Sequence, residues 1–129
     1  MMIKIYTDAA TRPHSNQSGI GILIIVNGKQ EQKSLNLTMQ DNHHAEFAAA
    51  IAGFRYLLQK YGNQNTVFFH SDSKIVIDGL NKNYSKSFKP QLKELAGLED
   101  RFDLVINQWI PEKENKGAHT LANQALHKK

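Results

Sequence analysis

Through the first part of the chain apolar and polar positions alternate, the two-residue period of strands with one buried face. Ile3, Ile5 and Thr7 alternate with Lys4, Tyr6 and Asp8, which predicts a strand that finishes at the acid. Residues 9 to 18 are polar and turn-rich, and Gly19 to Val26 then reads as a buried strand dense in β-branched side chains. Asn27-Gly28 is a strong hairpin signal, and the return strand, Lys29 to Thr38, carries Leu35 and Leu37 on one face. The expected start of the fold is therefore a meander of three antiparallel strands.

From about His44 to Tyr61 the period lengthens to that of a helix, with Phe47, Ile51, Phe54 and Leu58 at offsets of 0, 4, 7 and 11. Gly62-Asn63 ends this helix, and Thr66 to Phe69 is an apolar burst of strand character that runs into His70-Ser71-Asp72-Ser73. Lys74 to Asn81 reads as a short helix, Gln91 to Phe102 as a further helix after Pro90, and Leu104 to Ile110 as a last strand. Asn115 to Leu126 is helical, with Ala118, Leu121, Ala122 and Ala125 on its apolar face. Helices and strands in succession after a meander imply an α/β fold, a mixed sheet covered by helices.

With 129 residues, no repeat, no low-complexity tract and no linker, residues 1–129 read as one domain. The absence of cysteine excludes disulfide frameworks, thiolate zinc sites and cysteine nucleophiles. The longest apolar run, Ile20 to Val26, is far short of the ~20 residues of a membrane span, and Met1-Met2-Ile3-Lys4 lacks a signal peptide's pattern. A cytoplasmic protein with no membrane partner is expected. Sixteen Lys plus Arg against twelve Asp plus Glu give a net charge of +4, which suits a polyanionic partner without requiring one.

Candidate chemistry collects where acids meet strand ends, since open sheets with helical crossovers form their sites there. Asp8 ends the first strand, Asp72 follows the fourth, and Glu46 falls in the first turn of the helix between them. If the first and fourth strands are parallel neighbours, Asp8 and Asp72 lie side by side. Carboxylates so grouped repel one another unless a divalent cation or a proton lies between them. Each acid also has an ordinary alternative: Asp8 opening a turn, Asp72 capping the next helix, Glu46 complementing a helix dipole. No Gly-rich phosphate loop, Ser/His/Asp set or HExxH motif offers a competing chemistry.

A second signal runs from Gly79 to Lys93, where Lys82, Lys86, Lys89 and Lys93 interleave with Tyr84 and Phe88 and no acid intervenes. This suits a phosphate-tracking surface with stacking partners, or else a solvated connection whose aromatics belong to the core.

The motifs Tyr-Thr-Asp-Ala-Ala at 6 to 10, Asn-His-His-Ala-Glu-Phe-Ala-Ala at 42 to 49, Ser-Asp-Ser at 71 to 73 and the run from Trp109 to Asn123 together resemble type 1 ribonuclease H, in that family's order and spacing. The resemblance implies a five-stranded mixed sheet, three antiparallel strands then two parallel, flanked by helices. It also implies hydrolysis of the RNA strand of RNA/DNA hybrids with two Mg2+ ions. Asp8 matches the family's metal-bridging aspartate, Glu46 its helical glutamate and Asp72 its third carboxylate. The fourth carboxylate departs from the pattern, because Asn115-Lys116-Gly117-Ala118-His119-Thr120-Leu121-Ala122 places His119 where the family has Asp. Imidazole brings no negative charge and suits softer ions, so weaker binding at one metal and a preference for Mn2+ are expected. On this reading one metal uses Asp8 and His119 and the other Asp8, Glu46 and Asp72, with Glu112 or Glu114 as alternative donors.

The resemblance extends to recognition. Asn42 matches an asparagine that reads the hybrid's minor groove, where 2'-hydroxyls mark the RNA strand, and His43 replaces a second asparagine. Lys82, Lys86 and Lys89 lie where the family's DNA strand passes. Between the last strand and last helix the chain has only Pro111-Glu112-Lys113-Glu114, without the histidine loop of longer bacterial members. The expected protein is a monomeric hybrid-directed nuclease. The alternative is a catalytically weak or inactive nucleic-acid-binding relative, which His119 would distinguish.

Overall fold

The computed structural model describes residues 1–38 and 41–127; of the expected unit 1–129, residues 39, 40, 128 and 129 lie outside the described residues. Nine elements follow one another: β1 (Met2–Arg12), β2 (Gln17–Val26), β3 (Lys29–Leu37), α1 (Asn42–Tyr61), β4 (Thr66–Ser71), α2 (Lys74–Lys82), α3 (Lys89–Glu99), β5 (Leu104–Trp109) and α4 (Lys116–His127). The sheet has the order β3-β2-β1-β4-β5, antiparallel among its first three strands and parallel from β1 to β4 to β5.

The meander is longer than the sequence suggests. β1 and β2 pair from Ile3 with Val26 out to Arg12 with Gln17, so most of the polar stretch after Asp8 is strand rather than turn. The polar side chains are carried because they find partners: the Thr11 hydroxyl and the fully buried Ser18 hydroxyl bond each other at 3.0 Å across the ladder. A short 3-10 turn at residues 13–15 and Asn16, with φ of 56°, close this hairpin. The second hairpin turns on Asn27 and Gly28, both at positive φ, as their pairing in sequence predicts.

α1 begins at Asn42, two residues before its apolar period starts, because the Asp41 carboxylate caps it by accepting from the His44 N–H at 3.2 Å. Glu46 therefore lies in the second turn, not the first. The helix lays Phe47, Ile51, Phe54 and Leu57 into the core against Ile3, Ile5, Ile22 and Phe69 of the sheet. α3 runs from Lys89 to Glu99 instead of from Gln91 to Phe102; its end tightens into a turn that drives Phe102 into that core.

α4 covers the opposite face of the sheet, over β1 and β2. It does so at backbone distance: a Cβ added at Gly19 would stand 2.1 Å from the Ala122 carbonyl oxygen, and one at Gly21 2.0 Å from that of Ala118. Glycine on the strand and alanine on the helix permit this approach. Asp8 pairs with Gly21 across the ladder, so the same contact brings the start of α4 over Asp8.

Candidate active site

Asp8 is not at the end of β1 but at the point where one of its two neighbours stops. The parallel ladder with β4 ends at Thr7 and Ser71, while the antiparallel ladder with β2 continues through Asp8 and beyond. Asp72 is the first residue past β4, and Glu46 projects from α1. Ligand oxygens of Asp8, Glu46 and Asp72 all lie within 4.8 Å of one another, the convergence that the strand-end reading expects. Asp72 does not cap α2: Ser73 does, accepting from the Val76 N–H at 3.3 Å, which leaves the Asp72 carboxylate for the cluster.

The cluster is electrostatically costly. Burial, with the Asp72 charge added, pushes the Asp8 carboxyl up to about 6, against the lowering pull of its bond to His119. Burial also raises Asp72, and Glu112 adds to that rise although Asn115 opposes it. These three carboxylates form a hard oxygen donor set whose mutual repulsion a divalent cation would relieve, so the residues fit such an ion.

The groups holding these acids are mostly amides. The Asn115 Nδ2 is buried and donates to the Thr7 carbonyl at 2.9 Å and the Asp72 carboxylate at 3.4 Å, stitching the end of β1 to the end of β4. Asn42 donates to Glu46 at 3.1 Å and accepts from the Thr11 hydroxyl at 3.0 Å, so this expected groove reader is also tied to the site. His43 approaches the other Glu46 oxygen at 3.4 Å and is half-exposed. His119 bonds Asp8 through Nδ1 at 2.8 Å, and Asn123 lies 3.0 Å from its Nε2.

A cleft of about 470 Å³ opens over the cluster, lined by Asp8, Asn42, Glu46, Asp72, Trp109, Glu112 and His119 among others. Glu112 is thus at hand, whereas Glu114 is not among its lining residues. Trp109 was not foreseen. Its indole N–H donates to the Asp72 carbonyl at 3.0 Å, and the Lys74 ammonium stands 5.1 Å from its ring centroid. Its position as the last residue of β5 was the available signal, since β5 ends level with β4. Asn115 and Asn123 gave no signal by residue type, because their roles depend on which atoms α4 brings near.

The lysine segment divides. Lys82, Lys86, Lys89 and Lys93 are all exposed, and Tyr84 is 61% exposed. Phe88 is not a free stacking partner: it is buried, stacks on Phe47 with centroids 5.4 Å apart, and meets His43 and His44 edge-on. That packing docks the lysine segment beside the start of α1, next to Asn42 and His43.

Fold and acidic cluster together define an α/β protein of the ribonuclease H-like class, with its carboxylates gathered where the ladder between β1 and β4 ends. The RNase H family model matches residues 2–127, and the chain belongs to that family. It is 41% identical over 129 residues to the putative hydrolase EbsB of Enterococcus faecalis, covering 98% of this chain and 96% of that protein. Ribonuclease HI of Synechocystis is 25% identical, covering 93% and 84%. The RNase H1 structure from the halophilic archaeon Halobacterium salinarum superposes with a TM-score of 0.84 at 23% identity, covering 98% of both chains, a likeness of fold.

Proposed function

We propose that this chain hydrolyses the RNA strand of RNA/DNA hybrids at the Asp8, Glu46 and Asp72 cluster, with divalent cations as cofactor. The observation that carries the reading is the convergence of those three carboxylates, drawn from β1, α1 and the end of β4, on one cleft of the family's fold. Bound there, divalent cations would activate a water at neutral pH and offset the charge of the leaving oxygen. Mg2+ is the natural ion for three carboxylates, and Mn2+ is favoured to the extent that His119 takes part.

The chain's own residues do the rest. Asn115 and Asn42 hold Asp72 and Glu46 in place, which keeps the cluster assembled despite its repulsion. Asn42 and His43 face the minor groove of the hybrid, and Lys82, Lys86 and Lys89 pair with phosphates beyond it. Tyr84 and Trp109 offer exposed aromatic faces. The protein works as a monomer in the cytoplasm, as a single domain; among the described residues no helix is long and apolar enough to cross a membrane.

The test is a labelled RNA/DNA hybrid incubated with the protein in Mg2+ and in Mn2+, beside Asp72→Asn and His119→Asp. Cleavage by the wild type that Asp72→Asn abolishes is expected. A wild type that cuts in neither metal, or an Asp72→Asn variant that cuts equally well, overturns the proposal. The second reading, a hybrid-binding relative with a weakened site, rests on His119; it is supported if His119→Asp alone brings strong activity in Mg2+.

A further inference from the structure

The two faces of the sheet are unequally covered. Ile3, Ile5, Val67 and Phe69 point into the core beneath α1, with Val105 packed against them. The residues between them point the other way, to the side that α4 occupies. There α4 packs on β1, β2 and β3, while on β5 Leu104 stays 53% and Ile106 41% exposed. The ladders lay this surface out in rows: Met2, Thr66 and Leu104 stand side by side, and so do Lys4, Phe68 and Ile106. Beyond them Tyr6 and His70 close on each other, stacked with centroids 4.3 Å apart. What is left open is an apolar surface of Met2, Phe68, Leu104 and Ile106 around one cation, Lys4. None of the six is an acid, and none of the ion pairs among the described residues includes Lys4. A contiguous exposed apolar patch rimmed by polar residues marks an interaction site.

We infer that this face is a docking surface for one amphipathic helix of a different protein, laid beside α4 with its apolar stripe on Met2, Phe68, Leu104 and Ile106 and an acidic side chain meeting Lys4. The dimensions suit a single helix. Two strands at ~4.8 Å spacing leave a strip about 10 Å wide, and a helix with its side chains is ~10–12 Å across. Parallel strands such as β1, β4 and β5 are ordinarily covered by helices on both faces, and here the second cover is missing over β4 and β5. The charge follows from the covering: a helix laid there strips water from the Lys4 ammonium, a cost that an opposing carboxylate offsets. This chain's own helices cannot serve, because α1, α2, α3 and α4 are each packed elsewhere on the sheet or on one another. A second copy could then offer only the same face, and two such faces hold two cations and no acid. The patch lies towards the amino ends of β1 and β4, whereas Asp8 and Asp72 lie past the carboxyl end of their shared ladder. A helix docked there leaves the cleft open, so the inference stands apart from the nuclease reading.

The probe is a phage-displayed library of single-helix peptides with one face randomised, panned on the whole protein, the selected peptides then being measured free in solution by fluorescence anisotropy. Selected sequences are expected to carry apolar residues three and four apart with an Asp or Glu on the same stripe. Leu104→Gln and Ile106→Gln should each weaken their binding by about tenfold or more while keeping the wild-type melting temperature. Lys4→Glu should weaken it as well, and exchanging the peptide's acid for Lys should restore it, a rescue that a misfolded variant could not give. An empty selection, peptides indifferent to both glutamine variants, or a charge exchange that restores nothing would each overturn the inference. So would a wild-type dimer in sedimentation that Ile106→Gln dissolves, since the occupant would then be a second copy.

Discussion

Gly21 lies against the Ala118 carbonyl so closely that a Cβ at position 21 would stand 2.0 Å from that oxygen. The contact is backbone to backbone, and neither partner can swing aside. It determines where the amino-terminal turns of α4 rest, and with them His119 and the Asn115 amide that ties β1 to Asp72.

Gly21→Ala should therefore lower stability by at least the ~1–3 kcal/mol typical of overpacking, because relief requires lifting α4 from the sheet. Gly97→Ala is the control. Gly97 sits within α3 with nothing within 4 Å of an added Cβ, so alanine there should stabilise by roughly 0.5–1 kcal/mol. Urea unfolding of both variants reads the opposite signs; equal midpoints would mean that α4 is not seated as described.

The carboxyl of Glu99, at the end of α3, is pushed up to about 7, chiefly by burial, despite the Asn107 amide that donates to it at 2.9 Å. A raised acid keeps its proton in the folded chain after the unfolded chain has lost it. Stability supplied by this group is thus present at low pH and lost as pH rises from about 4.5 to about 7. Glu99→Gln is neutral throughout and keeps a carbonyl oxygen to accept from the Asn107 amide. The variant should match wild type near pH 4.5 and exceed it at pH 8, by on the order of 2 kcal/mol. The urea midpoints at the two pH values give the comparison, and a difference independent of pH would sink the assignment.

Most of the fold was legible because period and punctuation agreed: the Asn27-Gly28 turn, the Phe47, Ile51 and Phe54 stripe and the order of strands and helices fall where expected, while Leu57 rather than Leu58 completes the stripe. The same holds for Asp8, Glu46 and Asp72, whose convergence follows once β1 and β4 are parallel neighbours. What escaped was set by tertiary contact. Residues 9 to 12 look like turn but join the sheet because β2 is there to pair with them. Phe88 looked like a candidate stacking ring until α1 supplied Phe47 beneath it. Nothing in the spacing of Asn123 says that its amide meets an imidazole rather than water.

Phe88 and its neighbours give a prediction that separates packing from binding. Phe88→Ala should cost ~3–5 kcal/mol of stability, as a buried aromatic does. Tyr84→Ala should leave stability unchanged and weaken hybrid binding by ~1–3 kcal/mol if its exposed ring stacks on a base. Replacing Lys82, Lys86 and Lys89 together by alanine should flatten the fall of binding constant with salt, by about 2 to 3 in logarithmic slope. Fluorescence anisotropy across a salt series measures both; a triple variant with the wild-type slope would remove the lysines from the interface.

Asp72→Asn should have effects of opposite sign with and without cation. In chelator the wild type holds Asp8 and Asp72 together against their repulsion, which is part of why the Asp8 carboxyl rises to about 6. An amide at 72 removes that repulsion, so the variant should melt at or above the wild-type temperature when no cation is present. Cation binding to the folded chain alone stabilises it by mass action, about 2.7 kcal/mol at a hundred times Kd. The wild type should therefore gain several degrees on addition of Mg2+ or Mn2+, while the variant, with one ligand charge gone, should gain far less. Thermal melts in chelator and in each metal give the four values needed. Equal metal-induced shifts in the two proteins would show that the cation does not sit between Asp8 and Asp72.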